Sequence, residues 1–196
     1  MKDFEDLGFH CGVDEVGRGA WSGPVVAAAV RFDKQHNIKG LADSKTLSPQ
    51  QRIRLYFEIL ETFSVAVAFS SAKAIDNLDI LSSSLYVMQE VAQKVSKAND
   101  SLYFDGNTLP EAFRSAVRAY SIIKGDNKIA SIAAASIVAK VSRDFYMKSL
   151  NIRFPGYGWE KNVGYGAEQH KVAIYKLGIN TEHRRSFKPI YNILCL

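Results

Sequence analysis

The sequence predicts an α/β fold in which helices cover a mixed β-sheet. Three early runs have strand character, and further apolar runs then alternate with segments of helical periodicity. No internal repeat, low-complexity tract or Ser/Gly/Pro-rich linker interrupts the 196 residues. We therefore expect one domain spanning residues 1–196, which is long enough to bury a substantial core.

The predicted strands are short apolar or alternating runs, and they cover residues 9–14, 23–32, 65–69, 102–104 and 119–123. The second is nearly all apolar, which is typical of a central strand. Asp14 ends the first, Asp105 follows the fourth, and Asp126 follows the fifth. Because functional groups in an open α/β sheet gather beyond strand ends, tertiary folding can bring these acids together.

The predicted helices cover residues 47–62, 80–98, 129–150 and 167–177. Ser48, Pro49 and Gln51 supply an N-cap, a first-turn proline and a capping-box partner for the first helix. Apolar residues at steps of three and four predict a buried face on the second. Gly178 stands where the last helix should end.

The bulk composition favours a polyanionic partner. The net charge is +5 and the pI is about 9.1. No apolar run approaches the length of a membrane span, and residues 1–10 lack an export signal, so we expect a cytoplasmic protein. Cys11 and Cys195 show no zinc-ligand spacing, and we interpret both as buried small apolar residues in a reducing compartment.

Clustered carboxylates would need a cation, because ionised acids a few ångströms apart repel one another. Mg²⁺ or Mn²⁺ fits best, since hard ions take oxygen ligands, and no histidine cluster competes. Each acid taken singly also fits a turn or a helix cap, and Asp126 fits that alternative most clearly. Adjacent strand residues point to opposite faces, so we expect the chain to bend at Asp14 and Glu15.

Glycines follow the acidic pair and would let the main chain approach a ligand closely. Gly17 and Gly19 also fit an ordinary tight turn. A dinucleotide fingerprint is disfavoured, because Gly23 has the wrong spacing and an apolar run follows where a helix should begin.

Seven motifs occur in a fixed order along nearly the whole chain. They are GVDEVGRG (12–19), LADSKTLS (41–48), DGN (105–107), KGD (124–126), SIAAASIVAKVSRD (131–144), GYG (164–166) and HRRSF (183–187). Together they resemble the ordered motifs of bacterial type 2 ribonuclease H.

The resemblance implies a ribonuclease H-like mixed sheet flanked by helices, with a short C-terminal helical part. It also implies an active site in which Asp14, Glu15, Asp105 and Asp126 hold two Mg²⁺ or Mn²⁺ ions, with Asp14 as the bridging ligand. Such enzymes cut the RNA strand of RNA/DNA hybrids and cut 5′ of single ribonucleotides in duplex DNA. The products carry 3′-hydroxyl and 5′-phosphate ends, and the family likeness suggests a monomer.

The resemblance also implies how substrate is recognised. The main chain of Gly17, Arg18 and Gly19 would face the ribonucleotide 2′-hydroxyl, which distinguishes RNA from DNA locally. Tyr165 would pack on the deoxyribose that follows. The candidate phosphate contacts are the basic residues Lys45, Lys124, Arg143, Arg184 and Arg185. We favour Lys45 and Arg185 because they fall inside matched motifs, whereas Arg143 has an internal pair with Asp144 as its alternative.

Two departures from the family pattern flank the recognition motifs. Ala20 and Trp21 replace the usual proline and aliphatic residue after GRG, and Asn162 and Val163 replace a frequent basic residue before GYG. Two other functions stay open. Another ribonuclease H-like nuclease, such as a junction resolvase or a four-acid exonuclease, would lack GRG beside the first acid. A catalytically silent nucleic-acid-binding module would have no reason to keep four acids at strand ends.

Overall fold

The computed structural model describes residues 9–32, 40–41 and 47–195. Its strands β1 to β5 cover His10–Val16, Val25–Phe32, Ser64–Ser70, Ser101–Asp105 and Ala119–Ile122. Within those ranges the helices α1 to α7 cover Pro49–Thr62, Ala72–Leu78, Ile80–Val95, Ala130–Arg153, Trp159–Asn162, Glu168–Leu177 and Lys188–Leu194.

The five strands form one mixed sheet in the order β3-β2-β1-β4-β5, which confirms the predicted fold class. Strand β2 pairs antiparallel with β1 and with β3. Strands β1, β4 and β5 are parallel. The carboxyl ends of these three strands therefore meet at one edge of the sheet.

Helices cover both faces of the sheet. On one face, Val87, Met88 and Val91 of α3 pack against alternate residues of β1 and β2 such as Val13 and Ala27. The other face is covered by α1 and α4, whose buried residues include Leu55, Ile59, Ala134, Ile137, Val138 and Val141. The alternation along each strand sends successive side chains to these two cores.

Gly12 brings β1 and α4 into near contact at the middle of the molecule. A Cβ at this position would lie 2.2 Å from the main-chain carbonyl carbon of Ser131, a distance that real side chains do not occupy. Glycine is therefore required for the two backbones to approach this closely.

The short C-terminal helical part, α5 to α7, packs on the last turns of α4. Trp159, Ile174 and Ile190 form a third core with Met147 and Leu150. Four expected helices are confirmed, with bounds within a few residues, and Ser48 and Gln51 form the expected capping box. In the described ranges, none of the helices has the length and apolar character needed to span a membrane.

Two details differ from the expectations. The helices α2, α5 and α7 were not predicted, because four to seven residues are too few to show a periodic apolar stripe. Cys11 is buried as expected, but Cys195 is exposed just beyond α7, so its predicted burial is wrong.

Candidate active site

Asp14 and Glu15 both lie inside β1, which stays in register with β2 as far as Val16. The predicted bend at the acids is therefore wrong, and the chain turns only at Gly17, whose φ is 94°. Pairing of β1 with β4 ends at Val13. The acidic pair consequently has a strand neighbour on one side only, beside the point where β4 finishes.

Asp105 ends the strand next to β1, and Asp126 lies in the turn that follows the last strand of the sheet. Asp105 is the last residue of β4, and its Oδ1 accepts a hydrogen bond of 2.7 Å from the N–H of Gly125. Asp126 is buried in the 3-10 turn after β5, and its Oδ1 accepts from the side-chain amide of Asn127 at 3.0 Å. The N-cap of α4 is Ile129, which has no side-chain cap bond, so Asp126 does not cap that helix.

Three of the acids, Asp14, Glu15 and Asp105, interact through their charges. Burial raises the pKa of Asp14 well above its usual range, and the charges of Glu15 and Asp105 raise it further. Burial also raises the pKa of Glu15, against the opposing effect of Arg18, whose Nη1 lies 3.3 Å from its Oε1. Negative charge is therefore concentrated where little water is available to screen it.

Ser136 on α4 is a site residue that the sequence did not single out. Its side chain is buried and hydrogen-bonds to the Asp14 carboxylate, which also accepts from the N–H of Glu15 at 2.7 Å. Ser136 lies in the SIAAASIVAKVSRD motif, but an isolated serine on a helix carries no distinguishing signal. Throughout residues 9–32, 40–41 and 47–195, no three acidic, histidine or cysteine side chains already converge as a complete cation site.

Residues 17–19, the GRG loop, connect the acidic end of β1 to the loop before β2. Arg18 and Gly19 are exposed, while Gly17 is buried against Arg143. A Cβ on Gly19 would lie 3.9 Å from the ring carbon Cε1 of Tyr165. The structure thus brings two motifs 146 residues apart in sequence to the same place (165 minus 19).

Residues 164–166, the GYG loop, are bonded directly to the segment after the GRG loop. The carbonyl of Gly164 accepts hydrogen bonds from the N–H groups of Trp21 at 2.8 Å and Ser22 at 3.2 Å. The Trp21 indole packs so closely on Gly166 that an added Cβ would lie 2.2 Å from its ring. The unusual Trp21 therefore joins the segment after the GRG loop to the GYG loop through its main chain and its ring. Tyr165 leaves 37% of its surface exposed.

Two buried histidines lie beneath the GYG loop. His170 Nδ1 lies 2.9 Å from the carbonyl oxygen of Tyr165, and its Nε2 accepts from Trp159 Nε1–H at 3.1 Å. His183 Nδ1 accepts from the N–H of Asn180 at 3.1 Å, and its Nε2 lies 3.3 Å from His170 Nε2. Because Trp159 donates to His170 Nε2, the proton of neutral His170 lies on Nδ1. Burial lowers the pKa of both histidines, which favours their neutral forms.

The candidate phosphate contacts have different fates. Arg143 and Arg184 are completely buried, so their predicted contact with substrate phosphates is wrong. The pairing of Arg143 with Asp144 is also wrong, because Asp144 Oδ1 binds Lys140 Nζ at 2.6 Å. Lys124 and Arg185 are exposed. Lys45 lies outside the described residues.

The main chain around Arg185 is held by a carboxylate. Asp76, on α2, accepts hydrogen bonds from the N–H groups of Arg185 and Ser186, each at 2.9 Å. The loop that carries Arg185 is therefore fixed through its main chain.

Comparison with known proteins agrees with this geometry. The family model for ribonuclease HII matches residues 11–190. Ribonuclease HII of Ruegeria sp. is 47% identical over 183 residues, which are 93% of this chain and 79% of that protein. Ribonuclease HII of Jannaschia sp. is 44% identical over 188 residues, which are 96% and 94% of the two chains.

A solved structure supports the same assignment. Ribonuclease HII of Archaeoglobus fulgidus, solved in complex with PCNA, superposes with a TM-score of 0.75 at 26% identity. The match covers 92% of this chain and 95% of that one. The chain belongs to the ribonuclease HII family and is a metal-dependent endonuclease of ribonuclease H type.

Proposed function

We propose that the chain, acting as one domain over residues 1–196, cuts duplex DNA on the 5′ side of a single embedded ribonucleotide. It also cuts the RNA strand of RNA/DNA hybrids. The observation that carries this proposal is the approach of Tyr165 to Gly19, where an added Cβ would lie 3.9 Å from the ring, just beyond the strand that bears Asp14 and Glu15. The main chain of the GRG loop, which can reach a ribose, and the Tyr165 ring, which can pack on the next sugar, then lie beside the acids.

Asp14, Glu15, Asp105 and Asp126 are the proposed ligands of two Mg²⁺ or Mn²⁺ ions. The fit is chemical: the donors are carboxylate oxygens, which hard divalent ions prefer. Burial and mutual repulsion raise the pKa of Asp14, and a nearby cation would offset that cost. When bound, such ions polarise the scissile phosphate and make a water molecule nucleophilic near neutral pH.

The chain's own residues position the ligands and the substrate. Ser136 and the Glu15 N–H fix the orientation of the Asp14 carboxylate, and Gly125 N–H fixes that of Asp105. In the reaction, a water oxygen bonds to phosphorus and the bond to the departing 3′ oxygen breaks. The products then carry a 3′-hydroxyl and a 5′-phosphate.

Ribose is recognised by the main chain of Gly17, Arg18 and Gly19, which can donate to and accept from the 2′-hydroxyl. Tyr165 packs on the deoxyribose that follows, and its exposed ring supports this role. Arg185 and Lys45 contact phosphates, which positions the duplex without reading its sequence. We further propose that the protein works as a monomer in the cytoplasm.

The test uses an end-labelled DNA duplex that contains one ribonucleotide, with a continuous RNA/DNA hybrid as the second substrate. Wild-type protein with Mg²⁺ or Mn²⁺ should nick the first duplex 5′ of the ribonucleotide, and Asp14→Asn should not. An intact duplex with both metals would overturn the proposal. Binding without cleavage would instead support a silent nucleic-acid-binding module.

Tyr165→Ala tests the proposed sensing of the junction. Because the ring contacts the sugar after the ribonucleotide, its loss should slow cutting at a single ribonucleotide more than cutting of the continuous hybrid. Equal losses on the two substrates would remove this role.

A further inference from the structure

Arg143 is a completely buried cation whose hydrogen-bond partners are main-chain carbonyls. Its Nε donates to Pro24 at 2.9 Å, its Nη1 to Val163 at 2.8 Å, and its Nη2 to Ser22 at 3.1 Å. Ser22 and Pro24 follow the GRG loop, and Val163 precedes the GYG loop. One guanidinium on α4 therefore ties the two recognition loops together.

Arg184 holds the same region from the other side. It is also fully buried, its Nε donates to the carbonyl of Gly23 at 2.9 Å, and its Nη1 donates to the carbonyl of Arg18 at 2.9 Å. The second bond reaches the middle residue of the GRG loop itself. Because the buried Arg184 binds the Arg18 carbonyl from the protein interior, the solvent-facing side of the GRG loop is left for substrate.

Neither cation has a carboxylate partner among the ion pairs of the described residues. Burial lowers the pKa of Arg184 to about 9, and the charge of Arg143 contributes. Burying an arginine without a close carboxylate costs free energy, and the bonds that each guanidinium donates to main-chain carbonyls offset that cost. The donors of both side chains are therefore directed at the segments that carry the GRG and GYG loops.

The contacts of Arg143 extend to the residues that face substrate. Its guanidinium carbon lies 5.5 Å from the centre of the Tyr165 ring, in a cation-π contact. A Cβ on Gly17 would lie 2.2 Å from its Nε. Val163, which it binds, has a φ of 43°, a left-handed conformation that is strained for a β-branched residue. Arg143 is thus one of the groups that bond this strained residue.

We propose that Arg143 and Arg184 are positioning residues that fix the GRG main chain and Tyr165 at one separation, and so set selectivity for a ribonucleotide followed by DNA. The inference rests on the proposed function, since it assigns these two loops to the sugar pair at the junction. Arginine is needed because its planar, rigid fork reaches two or three carbonyls at once, which a lysine ammonium on a flexible stem does not reproduce.

The experiment compares Arg143→Lys and Arg184→Lys with a matched control, Arg31→Lys. Arg31 is a buried arginine on β2 that pairs with Asp100 through bonds of 2.6 and 3.1 Å. For each protein, kcat/KM is measured on the single-ribonucleotide duplex and on the continuous hybrid. The measured quantity is the ratio of kcat/KM on the single-ribonucleotide duplex to kcat/KM on the continuous hybrid. The folded fraction is followed by circular dichroism.

We expect the ratio to fall at least about tenfold in both loop variants, because small misplacements of recognition groups cost large factors in rate. The control should lose stability but keep the ratio within about twofold, because Arg31 pairs with Cys11 and Ser64 at the end of β2 that lies away from the GRG loop. If a lysine variant fails to fold, Arg143→Gln and Arg184→Gln, which bury no charge, take its place with the same expectation.

Two results would overturn the inference. One is a ratio that stays at the wild-type value in the folded variants of both arginines. The other is a control whose ratio falls as far as theirs. A wild-type protein that cuts neither duplex would instead refute the proposed function itself, and this is seen before any variant is made.

Discussion

His183 should make the protein markedly less stable in mild acid. Burial, with the adjacent His170, lowers the pKa of His183 from 6.5 to about 3 in the folded state. As the pH falls below 6.5, His183 binds a proton in the unfolded chain but stays neutral in the folded protein. The stability contributed by neutral His183 is therefore complete above pH 6.5 and is lost progressively down to about pH 3.

The size of the effect follows from those two pKa values. At about pH 5 the loss is about 2 kcal/mol, or roughly thirtyfold in the unfolding equilibrium, and below about pH 3 it approaches about 5 kcal/mol. A carboxyl group with a raised pKa, such as Asp14, has the opposite effect on stability: it stabilises the folded state as the pH falls, because the folded protein takes up that proton before the unfolded chain does.

Urea unfolding at about pH 7.5 and about pH 5 isolates the contribution when wild type is compared with His183→Gln. The variant loses ring contacts with Tyr157 and Trp159, whose centroids lie 5.1 and 5.6 Å away, so it should be less stable at both pH values. Its loss between the two pH values should nevertheless be about 2 kcal/mol smaller than that of wild type. Equal losses in the two proteins would refute the assignment of a neutral, buried His183.

Three other changes should have distinct outcomes. Gly17→Ala places a Cβ 2.2 Å from Arg143 Nε at a φ of 94°. The variant should cleave substrate more slowly. Its free energy of unfolding should fall by about 1–3 kcal/mol from backbone strain alone. Gly178→Ala, at a φ of 75° with nothing within 4 Å, carries the strain only, so unchanged stability in Gly17→Ala relative to it would contradict the predicted clash. Asp14→Asn should slow cleavage by about a hundredfold or more. In the absence of metal it should also raise the free energy of unfolding, because it removes a buried charge beside Glu15 and Asp105. A variant that is less stable than wild type in urea would contradict this electrostatic explanation. Adding Mg²⁺ should raise the unfolding midpoint of wild type but not of Asp14→Asn, as thermal melts would show, and an equal rise in both would place the ion elsewhere.

The parts of the fold that were predicted correctly depend on local chemistry. Ser48 and Gln51 fix the start of α1 through bonds within one turn, and Gly178 ends α6 because a positive φ is easy only for glycine. The strand end at Asp105 and the one before Asp126 were visible because apolar runs stop there. These signals need no knowledge of distant partners.

The parts that were missed depend on distant partners. The straight course of β1 through Asp14 and Glu15 follows from its pairing with β2, which no single segment reveals. Arg143 and Arg184 were expected to face phosphates because arginine is usually exposed, whereas four of the five carbonyls that they bind lie more than a hundred residues away in sequence. Folding alone brings such groups together.

The near contact of Gly12 with Ser131 has a consequence for motion. This contact joins the strand that carries Asp14 to the first turn of the helix that carries Ser136 and Arg143. We therefore expect these parts of β1 and α4 to unfold and refold locally as one unit. Amide protons on both elements should exchange with solvent at similarly slow rates. A methyl group added at this hidden position would disturb the acids and the recognition loops at once, although it touches neither.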